Sequence, residues 1–327
     1  MGSGDEISGL VEKLLAGDRR SLARLISAVE NEPERARPQL EKIHPRIGRA
    51  RRLGVTGPPG SGKSTLVDAL TLELRRKGLA VGIIAIDPTS PFTGGALLGD
   101  RIRMQRIGLD PGVFIRSMAT RGHLGGLCAA AGDAADLLDA FGKDIVITET
   151  VGVGQSEVEI VRVADTTIVV LCPEVGDAVQ TLKAGLMEIA DVFVVNKADR
   201  EGAGRLVLDI RGMLDARTRE DESWRPPVVE TSATKGTGID ALRDALERHG
   251  AFLREKGRLE GKRLAAAARK IRDLVLARVQ RDACSGAGRA RLEEFAREVA
   301  AGRLTPQAAA DEMFEKLAVR KGKKRVE

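Results

Sequence analysis

An α/β fold is predicted, with a mostly parallel central sheet covered by helices on both faces and helical extensions at the N- and C-terminal ends. Three observations predict it. The run Gly57-Pro58-Pro59-Gly60-Ser61-Gly62-Lys63-Ser64 matches the phosphate-loop pattern G-x-x-x-x-G-K-S, with a strand-like run before it and helical spacing after it. From Arg52 to about Leu246, short and nearly continuous apolar runs alternate with helical stretches, as in a sheet buried on both faces. On either side of that region, apolar residues recur at three- and four-residue spacing.

Residues 1–50 read as a helical extension, on the spacing of Ile7, Leu10, Val11, Leu14 and Leu15, then Leu22, Leu25, Ile26 and Val29. Residues 51–249 read as the nucleotide domain. Its first strand, 52–56, feeds the loop, and 64–70 begins a helix. Further strands are expected at 80–86, 113–115, 144–147, 167–171, 192–195 and 228–230. Residues 250–327 are helical and charged, with Leu264, Ile271, Leu274, Val275 and Val279 on one stripe. Such a stripe must be covered, by its own domain or by a second subunit, and a dimerisation or docking arm is expected.

The loop calls for a polyphosphate ligand. Gly57, Gly60 and Gly62 let successive N–H groups turn inward, and the start of the next helix adds partial positive charge. Lys63 is placed to reach the β- and γ-phosphates and the Ser64 hydroxyl to ligate Mg²⁺. Pro58, Ser61 and Thr65 are counted with them as nucleotide-binding. Asp87 and Glu149 each close a strand, where ligands bind in open α/β sheets, and are expected at the metal directly or through water. Asp100, after the glycine-rich run that starts at Gly94, is a third metal and catalytic candidate, with a helix-start acid as its other reading.

Asn196-Lys197-Ala198-Asp199 follows directly on the strand 192–195. In that arrangement the Asp199 carboxylate accepts from guanine N1–H and the 2-amino group, while Asn196 and the Lys197 stem frame the ring. Adenine lacks this donor pair and would leave the carboxylate unpaired. Ser232 and Ala233, at the end of the last strand, are placed for a further guanine contact, so the bound nucleotide is read as GTP or GDP. In the stretch from Glu149 to Glu157, Gly152 and Gly154 allow a loop that responds to the γ-phosphate, with the Gly152 N–H aimed at it. Gln155 is read as a water-orienting residue or a polar helix start and is not assigned to catalysis.

Composition argues against other classes. The 53 basic and 47 acidic residues are mixed along the chain, and the single basic cluster is 320–325. With aromatics at 2% and no Tyr, stacking platforms are poorly supplied, so no nucleic-acid partner is expected. No apolar run reaches the ~18 residues of a membrane span, and the acidic, polar start resembles neither a secretory signal nor a transit peptide. No membrane partner and a cytoplasmic location are expected. Cys128, Cys172 and Cys284 are scattered without a C-x-x-C pair, against a disulfide framework or a zinc site.

The phosphate loop with Thr65, Asp87-Pro88-Thr89-Ser90, the run from Gly94 to Met104, the stretch from Glu149 to Glu157, and Asn196 to Asp199 together resemble the MeaB/ArgK-type GTPases. These are the methylmalonyl-CoA mutase-associated family of the SIMIBI class of P-loop proteins. The resemblance covers most of the chain and implies Mg²⁺-dependent hydrolysis of GTP, slow alone and stimulated by a partner. It implies an adenosylcobalamin-dependent acyl-CoA mutase as client, whose cofactor loading is gated and which is protected from inactivation. The mutase's adenosyltransferase is implied as a functional partner, while the expected homodimer follows from the amphipathic C-terminal stripe and not from the resemblance. It also implies a third switch after Leu171, whose polar positions Asp177, Gln180 and Lys183 match. There the client would bring Lys183 toward the nucleotide as phosphate charge redistributes. The segment Cys172-Pro173-Glu174-Val175 departs from the smaller, glycine-containing one expected, which bears on that switch's mobility. Three rival readings are an ATP-dependent kinase of a periplasmic amino-acid transport protein, a metal-insertion GTPase, and a non-enzymatic scaffold for partner docking that nucleotide binding only stabilises, against which the intact Lys63, Ser64 and carboxylates count. Asn196 to Asp199 argues against the first. The second would carry Cys/His clusters, whereas His44, His123 and His249 are not clustered with a Cys.

Overall fold

A computed structural model of the chain describes residues 7, 9–87, 107–119, 130–152, 156–173, 185–216 and 224–323. Asp100, Gln155, Asp177, Gln180 and Lys183 lie outside the described residues. The chain divides into two compact units, 1–260 and 261–327.

The first unit opens with α1 (Leu10–Leu15), α2 (Arg19–Asn31) and α3 (Pro33–Ile43). Asp18 caps α2 by accepting from the N–H groups of Arg20 and Ser21, a device worth about 1 kcal/mol. Proline begins α3, where its missing N–H has no intrahelical partner to lose. Next come β1 (Arg51–Thr56), α4 (Lys63–Arg76), β2 (Val81–Asp87), β3 (Val113–Ala119), α5 (Ala130–Ala140) and β4 (Ile145–Glu149). β5 (Thr166–Leu171), β6 (Val192–Val195), α6 (Ala203–Asp215), β7 (Val228–Glu230) and α7 (Ile239–Arg254) complete it.

The strands form one seven-stranded sheet in the order β3-β2-β4-β1-β5-β6-β7, every pair parallel. This is the predicted class. Successive side chains of a strand face opposite ways, so both faces need cover. In β2, Ile84 and Ile86 join the core under α1, α2, α3 and α5, while Val81 and Ile83 join the core under α4 and α7. In β5 and β6, Val169, Leu171, Phe193 and Val195 pack with Leu206, Val207 and Ile210 of α6. Each such fully buried side chain contributes roughly 1.5–3 kcal/mol against exposure.

The α2 layer is pinned by charge as well as by packing. Glu30 accepts from Arg116 of β3 at 3.1 Å and from the Ala119 N–H at 3.2 Å. Asp139 of α5, its side chain buried, accepts from the backbone N–H groups of Gly48, Arg49 and Ala50 just ahead of β1.

α8 (Arg258–Cys284) leads from the first unit into the second, which also holds α9 (Gly286–Ala300) and α10 (Pro306–Lys323). Its own small core is Phe295, Ala309 and Met313. Along α8, Leu264, Ile271, Leu274 and Val275 are all more than half exposed. Among the described residues no helix is long and apolar enough to cross a membrane.

Candidate functional site

β1 lies at the centre of the sheet, with β4, β2 and β3 to one side and β5, β6 and β7 to the other. Chain order reverses there, and a crevice at the C-terminal ends of the strands follows from that reversal. The loop 57–62 leaves β1 at this point, and α4 begins at Lys63. Gly57 has φ 137°, and a Cβ on it would strike the Val170 carbonyl oxygen of β5. Only glycine lets the loop leave the sheet so tightly.

Lys63 is buried, and its Nζ donates to the carbonyl oxygens of Gly57 at 2.8 Å and Pro58 at 3.1 Å. The ammonium thus curls back over its own loop. Gly152 closes on it from β4's side: with φ 89°, a Cβ there would collide with Lys63 Nζ and stand 2.8 Å from the Gly57 oxygen. Pro58 and Ser61 are buried, Gly62 and Ser64 half-buried, and Gly60 and Thr65 exposed. The Ser61 hydroxyl has no hydrogen-bond partner among the described residues, an acceptor-poor position that a phosphate oxygen would complete.

Glu149 and Asp87 end the adjacent strands β4 and β2, where Glu149 pairs with Ala85, so the two carboxylates stand close to one level of the sheet edge. Both are almost wholly buried. The Ser64 hydroxyl donates to Glu149 Oε1 at 2.7 Å. Hard oxygen donors, one hydroxyl beside a carboxylate with a second acid on the neighbouring strand, fit Mg²⁺, which keeps several waters and takes few protein ligands.

At the other end of the crevice Asn196 is fully engaged. Its Nδ2 donates to the Ser61 oxygen at 3.0 Å and, more weakly, to Gly62 at 3.4 Å. Its Oδ1 accepts from Thr231 Oγ1 at 3.1 Å and the Ala233 N–H at 3.2 Å. Lys197 takes a left-handed φ of 56°, uncommon outside glycine, and the chain turns so that the Ala198 N–H donates to the Thr231 oxygen at 2.9 Å. Asp199 accepts from Ser232 Oγ at 2.7 Å and pairs with Lys235 Nζ at 3.0 Å. The Ser232 hydroxyl first, and then Lys235, hold its carboxyl down at about 2, so it is an acceptor-only carboxylate at neutral pH.

Several neighbours had no sequence signal of their own. Lys235 is not fixed by any spacing rule. Thr56 Oγ1 donates to the Glu157 carbonyl at 3.2 Å and accepts from Thr150 Oγ1 at 3.0 Å, tying the stretch after β4 to the end of β1. Cys172 Sγ approaches the Gly60 oxygen at 3.8 Å. His249 lies elsewhere, buried at the opposite ends of β5 and β6 between Thr166 at 2.8 Å, Asp191 at 3.4 Å and the Trp224 ring.

A glycine-tight loop at the reversal point of a parallel sheet, with a Lys-Ser helix start and strand-end acids, defines a P-loop nucleotide-binding protein. Within that class the chain belongs to the MeaB family, whose model, described as methylmalonyl Co-A mutase-associated GTPase MeaB, matches residues 22–287. It is 52% identical over 313 residues to a Pyrococcus abyssi protein named as a GTPase, covering 95% of this chain and 97% of that one. It is 33% identical over 274 residues to the mitochondrial methylmalonic aciduria type A homolog of Mus musculus, covering 79% of this chain and 66% of that protein. The crystal structure of LAO/AO transport system kinase matches with a TM-score of 0.71 at 29% identity, over 97% of this chain and 99% of that one. The chain is therefore a member of a GTPase family.

Proposed function

We propose that the protein hydrolyses GTP to GDP and phosphate with Mg²⁺, and that hydrolysis is coupled to chaperoning an adenosylcobalamin-dependent acyl-CoA mutase of the methylmalonyl-CoA mutase type. In this reading it gates cofactor loading and protects the mutase. One observation carries the nucleotide half: the buried Asn196 amide joins the phosphate loop to the segment that orders Asp199. The family's description and the mouse relative's name support the choice of client.

Within this reading, Lys63 leaves the Gly57 and Pro58 oxygens for the phosphates, and the loop N–H groups and that of Gly152 share their charge. Ser64, Asp87 and Glu149, with Asp100, hold Mg²⁺. When bound, the ion neutralises charge on the phosphate oxygens. Asn196, Lys197, Asp199, Ser232 and Ala233 select guanine. Lys183, presented by the docked client, adds positive charge near the transferred phosphate.

In this reading the chain comprises a helical extension (1–50), the GTPase domain (51–249) and a dimerisation or docking arm (250–327), with a homodimer in the cytoplasm. The mutase's adenosyltransferase is a functional partner. The exposed apolar residues of α8 support the arm. The test is phosphate release from GTP with and without a methylmalonyl-CoA mutase. Stimulation is expected in the wild type and its loss in Lys183→Ala, whereas unchanged stimulation in that variant removes Lys183 from the mechanism. The name of the structural relative, a transport system kinase, suggests ATP as the rival nucleotide. Displacement of labelled GDP by GTP but not by ATP decides between them.

A further inference from the structure

Thr56 closes β1 and is wholly buried at the root of the phosphate loop. A threonine hydroxyl has one proton to give and lone pairs that receive. Here the proton goes to the Glu157 carbonyl oxygen at 3.2 Å, and a lone pair takes the Thr150 hydroxyl at 3.0 Å. Thr150 is tied to the same strand a second time, its N–H donating to the Val55 oxygen at 3.0 Å. Thr150 and Glu157 both follow β4, and one hydroxyl of β1 holds the two together.

This junction adjoins the phosphate loop on both of its sides. The residue after Thr56 is Gly57, whose oxygen accepts from Lys63 Nζ at 2.8 Å. Two residues after Thr150 is Gly152, so close that a Cβ on it would collide with Lys63 Nζ and stand 2.8 Å from the Gly57 oxygen. The place of Gly152 over Lys63 thus depends on where Thr150 is held. Packing alone does not call for a hydroxyl at position 56: valine has the same shape, suits a buried parallel strand, and stands at Val169, the register partner of Thr56 on β5. A buried hydroxyl costs the fold unless it is bonded, and with Thr56 and Thr150 both buried no water takes the place of either bond.

We infer that Thr56 is a positioning residue that couples the phosphate loop to the Gly152 segment, and so sets how strongly the protein prefers GTP to GDP and how fast it hydrolyses GTP. The inference rests on the reading proposed above, in which the γ-phosphate is met by Lys63 and by the Gly152 N–H. Thr56 holds Thr150, and through it Gly152, at the setting where both groups reach that phosphate. GDP has no γ-oxygens and gains nothing from this setting. A ligand shifts an equilibrium only by its differential affinity for the two states, so loss of the Thr56 bonds weakens GTP and spares GDP.

The experiment uses the full chain with Mg²⁺ and compares wild type, Thr56→Val, Thr56→Ser and Thr150→Val. Displacement of a fluorescent GDP gives the affinities for GDP and for a non-hydrolysable GTP analogue, and single turnovers give the hydrolysis rate. In Thr56→Val the analogue's affinity and the rate are each expected to fall about tenfold, with GDP affinity within about threefold of wild type. Thr56→Ser, which keeps the hydroxyl, should restore both. Thr150→Val, which keeps the Thr56–Glu157 bond, should lose part of the preference for the analogue and leave GDP affinity unchanged. A ratio of analogue to GDP affinity within about threefold of wild type in Thr56→Val, with only the thermal midpoint lowered, makes the hydroxyl structural and overturns the inference. Failure of Thr56→Ser to recover the ratio does the same. Should Thr56→Val not fold, an unchanged ratio in Thr150→Val overturns it instead. A wild-type protein that binds neither nucleotide defeats the GTPase reading itself, an outcome seen before any variant is compared.

Discussion

Asp199 shows how a single side chain is prepared by its neighbours. With Ser232 on one oxygen and Lys235 on the other, it stays ionised far below neutral pH. Its folded value, about 2, lies below the ordinary 3.8, so whatever it adds to stability is complete above about 4 and is lost as pH falls toward 2. Guanine recognition by this carboxylate should accordingly be flat from pH 5 to 8. Asp199→Asn keeps the shape but replaces one acceptor oxygen by a donor, and GDP affinity is expected to fall about a hundredfold, read by displacement of a fluorescent GDP. An unchanged affinity would remove Asp199 from base recognition. The motif containing Asp199 was visible in the sequence, because Asn196-Lys197-Ala198-Asp199 is contiguous. Lys235 was not, since a partner met only through a turn leaves no spacing to read. The same holds for Asn196, whose partners stand 35 and 135 positions away.

At the scale of elements, strand runs were legible where they were apolar and were cut short where they were not. The sequence supports a strand over 113–115, yet β3 runs to Ala119, because Arg116 is accommodated by Ser27 at 3.0 Å and Glu30 at 3.1 Å of α2. A contact between residues 86 apart is invisible to local pattern. The start of β4 carries a related feature. Lys143, two residues before it, donates to the Gly112 oxygen at 2.8 Å in the turn entering β3. Burial, then the charges of Arg19 and Arg75, lower its ammonium to about 8 from 10.5. A lowered lysine reverses the usual sign: charging it costs the folded state, so stability should rise as pH climbs from about 8 to 10.5. Urea midpoints across that window should show this rise, and Lys143→Met should flatten it. An equal slope in the variant would assign the effect to other groups.

For the whole molecule, the sheet and its two covered faces followed from the alternation of apolar runs and helices, while the use of the last quarter did not. α8 presents Leu264, Ile271, Leu274 and Val275 to solvent in a chain whose second unit has only a small core of its own. If this stripe is the dimer contact proposed above, Ile271→Glu with Leu274→Glu should give a monomer by sedimentation while leaving GDP binding within about twofold, since additivity holds for distant sites. A dimer that survives both substitutions would place the contact elsewhere.

The Asn196 amide has a further consequence. By bonding the loop backbone on one side and the 231–233 segment on the other, it fixes the span between the phosphate loop and the segment beside Asp199, the two ends that the proposed function gives to phosphate and base. The crevice is thereby a gauge of set length. Guanosine alone, or pyrophosphate alone, engages one end and leaves the strut idle, whereas a ligand joined across both ends gains the effective concentration that a rigid spacer confers. Asn196→Ala should therefore cost the joined nucleotide far more than it costs either fragment.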